Sequence, residues 1–85
     1  MEERLRIFKA LSDPTRLKIV DYVLSGEKCV CEIRKIVDRS QSTVSQQLCK
    51  LENLGIFESR RSGKSVYYTL TNEKVRKIMK IFEEE

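Results

Sequence analysis

The sequence predicts a mainly α domain carrying one small β-hairpin, and three observations predict it. Between Leu5 and Leu54, apolar residues recur three and four apart in four separate stripes, the period of helices buried on one side. Over Ser65–Leu70 the period drops to two, behind a turn-forming "RRSGK". Helical spacing then returns from Val75 to Phe82.

Residues 2–11, "EERLRIFKAL", set Leu5, Phe8 and Leu11 on one face of a first helix. In "SDPTRLKIVDYVLSGE" the Asp13 carboxylate can cap a second helix. Pro14 suits the first helical position, where no amide donor is missed. Leu17, Val20 and Leu24 repeat at helical spacing there, and Gly26 can end the helix in a left-handed conformation. A third helix spans roughly Val30–Val37, with Val30, Ile33, Ile36 and Val37 on one side. The polar corner "DRS" separates it from a fourth at Gln41–Leu54, capped by Ser40 and ended by Gly55, with Val44, Leu48, Leu51 and Leu54 as its buried stripe. Residues 57–70 read as a hairpin: Val66, Tyr68 and Leu70 alternate with Ser65, Tyr67 and Thr69, and Gly63 is available for positive φ. A last helix covers Asn72–Glu85, with Val75, Ile78, Met79 and Phe82 on one face.

Two short helices meeting at a tight corner, followed by a basic hairpin, describe a winged helix-turn-helix of about five helices and a two-stranded wing. Residues 1–85 form a single domain. A chain of this size buries only about 60% of its unfolded surface, so a partner subunit is expected. With 40% hydrophobic and 35% charged residues the composition is that of a soluble globular protein. No apolar run approaches the roughly 20 residues of a membrane span, and "MEERLR" leads straight into an amphipathic pattern rather than a signal segment. The expected location is the cytoplasm, without a membrane partner. Three cysteines, an odd number, argue against a disulfide framework. The net charge of +4 leans mildly towards polyanions.

The fourth helix sharpens that lean. Set its buried stripe uppermost, and Ser42, Gln46 and Asn53 fall on the opposite face, flanked by Ser45, Cys49 and Lys50. The first half of that face is small or amide-bearing, with no acidic side chain. Solvated faces in this chain look different, as in "EKVRKIMKIFEEE". Serine and glutamine offer donors and acceptors to base edges and phosphates, and short side chains let a helix sit deep in a major groove. Ser40, Gln41, Ser42, Thr43, Ser45, Gln46 and Lys50 are therefore the expected DNA-binding residues of the helix, its first amides being placed to meet a phosphate. Arg60, Arg61 and Lys64 at the hairpin tip add charge for phosphates. Segment 40–70 carries four basic residues (Lys50, Arg60, Arg61, Lys64) against two acidic ones, Glu52 and Glu58.

"LSDPTRLKIVDYVLSGEKCVCEI", "SQSTVSQQLCKLENLGI" and "RRSGKSVYYTL" together resemble the signature stretches of the ArsR/SmtB family of small dimeric winged-helix repressors, in the right order and over nearly the whole chain. The resemblance implies a homodimer joined by the first and last helices, binding to a partly palindromic double-stranded operator, and release when an effector binds. Leu5, Phe8, Leu11, Val75, Ile78, Met79 and Phe82 supply apolar stripes for that interface.

The resemblance also directs attention to "EKCVCEI". Family members that sense arsenite, antimonite or soft divalent metals carry a Cys-Val-Cys where Cys29 and Cys31 stand, which would make these two the ligands of a thiophilic metal or metalloid. Their third thiolate comes from three residues further on or from an N-terminal extension. Here Arg34 occupies the first of those places. A second family site uses histidines, and this sequence contains none. Three readings of the pair stand side by side: buried small hydrophobes, a metal or metalloid sensor, and a redox or sulfur-species switch favoured by a helix start and Lys28.

The expected function is a sequence-specific DNA-binding transcriptional regulator, a repressor rather than an enzyme. Without histidine, acid–base work would fall to carboxylates, and no Asp/Glu pair has a suitable setting. The competing reading is a winged-helix protein-interaction module without DNA binding, which predicts an apolar or acidic outer face on the fourth helix.

Overall fold

A computed structural model describes residues 2–83; Met1, and the last two residues of the expected final helix, Glu84 and Glu85, lie outside the described residues. Helix α1 spans Glu2–Leu11 and α2 spans Pro14–Leu24. The Asp13 carboxylate accepts the Arg16 amide at 2.9 Å, satisfying one of the donors a helix start leaves without a partner. Helix α2 buries Ile19, Val20, Val23 and Leu24. Leu17, which shares the helical spacing of Val20 and Leu24, is 40% exposed. It lies at the edge of the buried arc, about a quarter turn from the centre between Val20 and Val23.

Strand β1, Lys28–Cys29, leads directly into α3, Val30–Ile36. After the corner comes α4, Gln41–Asn53, where the Ser40 hydroxyl accepts the Thr43 amide at 3.2 Å. Its C-terminus closes in a Schellman arrangement. The Gly55 amide donates to Glu52 and the Ile56 amide to Leu51, both at 3.0 Å, with Gly55 at φ +77°. Leu51 and Ile56, brought together by this motif, are fully buried.

Strands β2, Phe57–Ser62, and β3, Ser65–Leu70, pair antiparallel from Phe57 opposite Leu70 to Ser62 opposite Ser65. Gly63, at φ +60°, takes the first central position of the two-residue turn, the glycine pattern of a type II′ hairpin. The expected two-stranded wing is a three-stranded sheet, in the order β1-β3-β2. Lys28 pairs with Tyr68 and Cys29 with Tyr67. Two residues are too few to display alternation, so this strand left no periodic mark in the sequence.

Asn72 starts α5, Glu73–Glu83, by accepting the amides of Lys74 and Val75, each at 3.1 Å. The core gathers Ile19, Val20 and Val23 from α2, Ile33 from α3, and Val44, Leu48 and Leu51 from α4. Ile56, Phe57, Leu70 and Val75 complete it. Two residues expected at the subunit interface thus belong to the interior. Val75 is fully buried and Met79 is 8% exposed, because α5 turns that side onto its own subunit. Helix, corner, helix and hairpin make a winged helix-turn-helix. No helix among the described residues is long and apolar enough to cross a membrane.

Candidate nucleic-acid interface

Three buried residues, Val44, Leu48 and Leu51, fix which way α4 faces. The opposite side carries Gln41, Ser42, Ser45, Gln46 and Lys50, all exposed. Ser45 and Gln46 make no side-chain hydrogen bond within the described residues, so their polar atoms remain open to an outside partner. The hydroxyls of Ser40 and Thr43 are occupied locally: Ser40 Oγ serves as the helix cap and donates to Thr43 Oγ1 at 3.0 Å.

Gln47, on the flank of α4, accepts a hydrogen bond from Arg16 at 3.1 Å. The same guanidinium donates from Nε to the Ala10 carbonyl at 3.0 Å and from Nη2 to that of Lys9 at 3.2 Å. Arg16 therefore ties the end of α1 to the outward-facing helix. Sequence reasoning did not single out Arg16 or Gln47. The available signal was an arginine one turn into a proline-started helix, close to carbonyls that a helix C-terminus leaves unsatisfied.

The three wing cations part company. Side chains alternate along a strand, so Arg60 and Arg61 point to opposite faces of the sheet. Arg61 shares a face with Phe57 and with Ser59, whose hydroxyl donates to Glu52 of α4 at 2.8 Å. Arg60 lies opposite Tyr67 on the outer face. Its Nε and Nη2 each donate to Glu27 at 2.8 Å, and its guanidinium lies 4.7 Å from the Tyr67 ring centre. The Arg60 hydrogen bonds hold the Glu27 carboxyl below its ordinary range, and Glu27 raises the Arg60 guanidinium in turn. Lys64, at the turn, lines a groove together with Ser45 of α4.

Cys29 and Cys31 line that same groove, with Arg34 beside them. The odd cysteine count argues against disulfides, yet these two sulfurs are joined as one spanning a single residue. Cys29 also caps α3: its sulfur lies 3.1 Å from the Cys31 amide, and its own amide donates to Glu32 at 2.9 Å. A metal would find two sulfur donors here and no more. Among the described residues no group of three Cys, His, Asp or Glu side chains is arranged to hold an ion. Cys49 is exposed on α4 and lines a different hollow with Gln46, Lys50 and Asn53. The residues present do not complete a metal site.

Away from α4, an apolar groove of about 740 Å³ runs between α1, α2 and α5. Phe8, Leu11, Leu17, Ile78 and Phe82 line it, and Met79 reaches its floor. Phe8 is 58% and Phe82 64% exposed; Leu5 and Ile81 are similarly open.

Comparison with known proteins places this geometry in context. The family described as "Bacterial regulatory protein, arsR family" matches residues 13–59, from the α2 cap to the third residue of β2. A cadmium resistance transcriptional regulatory protein CadC homolog of Staphylococcus aureus is 50% identical over 87% of this chain and 62% of its own length. The chain spans a little under two thirds of the cadmium-resistance relatives it matches, 62 to 63%. The crystal structure of the transcriptional repressor BigR from Xylella fastidiosa superposes with a TM-score of 0.88 at 36% identity, over 94% of this chain and 82% of that one. A homodimeric winged helix-turn-helix DNA-binding domain from Mycobacterium bovis, a possible ArsR-family regulator, superposes with a TM-score of 0.84 at 30% identity, over 96% and 76% of the two chains.

Proposed function

The chain belongs to the arsR family of bacterial regulatory proteins, and from that premise we propose that it is a transcriptional repressor that binds a partly palindromic DNA operator as a homodimer. The observation that carries the reading is the outer face of α4. Ser42, Ser45 and Gln46 are exposed and uncharged on a helix held rigidly from behind by Val44, Leu48 and Leu51. Such a face enters a major groove without like-charge repulsion, and Gln46 can pair bidentately with adenine. Arg61 and Lys64 supply attraction to phosphate that is independent of sequence. The exposed apolar groove supports a second copy as the partner on the α1/α5 side, where Phe8 and Phe82 would be costly to leave in water.

Measuring binding to a duplex selected by the wild-type protein tests this reading. Gln46→Ala costs about 1–3 kcal/mol against that duplex and little against an unrelated one. Arg61→Gln weakens both and lowers the salt dependence by about one ion. Equal affinity of wild type and Gln46→Ala for both duplexes contradicts the assignment.

The thiol pair supports a second element of the proposal, effector control. Cys29 and Cys31 share a groove with Ser45 and Lys64, so a change at sulfur is felt where DNA is read. The pair is joined as a disulfide and the described residues offer no third donor, so the signal this geometry supports is a change in the redox state of the pair. Reducing the pair to the dithiol with an added thiol reductant, and re-forming the disulfide with an oxidant, changes affinity for the duplex reversibly, and Cys29→Ser/Cys31→Ser abolishes the change. An equal response of both proteins removes the pair from any sensing role.

A further inference from the structure

Glu27 stands just before β1, yet its carboxylate reaches both other strands of the sheet. Oε2 accepts from the Thr69 hydroxyl on β3 at 3.3 Å and from Arg60 Nε on β2 at 2.8 Å; Oε1 accepts from Arg60 Nη2 at 2.8 Å. In the sheet itself β2 is hydrogen-bonded to β3 alone, and β1 meets β3 at only two positions. Beyond Phe57 every residue of β2 is exposed, so packing does not hold the outer half of the wing. What holds it is polar and acts on both faces: Ser59 to Glu52 on the α4 side, Arg60 to Glu27 on the other. An exposed ion pair usually contributes little, but a planar two-point Arg–carboxylate fork is the exceptional geometry. Arg60 is further confined by the Tyr67 ring beneath it.

We propose that Glu27 and Arg60 form a strut that fixes the wing to the segment carrying the thiol pair, so that Arg60 serves DNA binding as a positioning residue and not as a phosphate contact. The proposal rests on the DNA-binding reading above and deepens it. One edge of the Arg60 guanidinium is already neutralised and orientationally fixed by Glu27. The charges left for phosphate are Arg61, on the opposite face, and Lys64 at the turn. Lysine cannot reproduce a two-point fork, so Arg60→Lys breaks the strut while keeping the charge.

Affinity for the duplex best selected from a random-sequence pool, measured across a series of salt concentrations, separates the two roles. Glu27→Gln, Arg60→Gln and Arg60→Lys each weaken binding by about five- to tenfold, and the Glu27→Gln/Arg60→Gln double variant is no weaker than either single one. The slope of log affinity against log salt stays at the wild-type value in all of these, while Arg61→Gln reduces it by about 0.9. A slope for Arg60→Gln lowered to match that of Arg61→Gln makes Arg60 a phosphate contact and overturns the proposal. So does a double variant whose loss is the sum of the singles. A DNA-free measurement stands beside these: hydrogen exchange at the amides of residues 58–67 quickens in Glu27→Gln relative to wild type. Unchanged exchange overturns the strut, whereas failure of the wild-type protein to bind any duplex, with exchange quickened as expected, sinks the DNA-binding reading and leaves the strut standing.

Discussion

Ser40 and Asp13 are small residues with a large influence, because each fixes where a helix begins. Each side chain satisfies an amide that the helix leaves without a partner. Asp13→Ala lowers unfolding stability by about 1 kcal/mol, and Ser40→Ala by a similar amount, in denaturant titrations. Gly55 is a second point of sensitivity. At φ +77° a side chain meets nothing within 4 Å, so Gly55→Ala costs only its backbone strain, about 1 kcal/mol, and leaves the fold intact. Caps and turns of this kind were legible in the sequence, since Asp-Pro, Ser before an apolar stripe, and Gly after one each carry a local physical signature. Arg16 was not legible. Its partners are two carbonyls six and seven residues back and Gln47 thirty-one residues on, and nothing local announces such a reach.

At the scale of elements, periodicity identified all five helices and the hairpin, because each buries one face against a common core. It failed at β1, where two residues cannot alternate, and it did not separate the residues of α5 that face inward from those that face out. Val75, expected at the interface, lies in the core, while Leu17 of α2 lines the exposed groove. A stripe of apolar residues gives the direction of a helix face to within a neighbouring position. Deciding between core and interface takes the packing partner, which the sequence does not display. The wing cations show the same limit. All three look alike in "RRSGK", and only strand register separates Arg60 from Arg61. The strut also predicts a pH dependence of the wing. Its carboxyl is held below the ordinary value by Arg60, so the contact is fully present above the unfolded carboxylate range and is lost as pH falls through the lowered value. The Arg60 Nε–H resonance accordingly remains protected from solvent exchange at neutral pH and loses protection on acidification, ahead of global unfolding.

For the whole molecule, the exposed apolar groove and the proposed reading face of α4 lie on different elements, an arrangement that leaves both free in a DNA-binding dimer. Phe8→Asp or Phe82→Asp places a charge in the groove between α1 and α5. If the proposed homodimer forms through this groove, the wild type sediments as a dimer, either variant sediments as a monomer, and the variant's affinity for DNA falls because each subunit then binds one half-site alone. The exposure of the α4 face was legible because an uncharged helix face stands out in a chain where 35% of residues are charged. The thiols were legible as residues and ambiguous as chemistry. The structure narrows them to a disulfide-joined pair of which Cys29 caps α3, and among the described residues no third donor joins them for a trigonal metal site. Selection of duplexes from a random-sequence pool by the purified protein, followed by sequencing, tests the central claim most directly. A paired α4 face predicts an enriched motif with twofold symmetry and half-sites about 10 base pairs apart; a pool that returns without a shared motif, or with a single unpaired half-site, contradicts it.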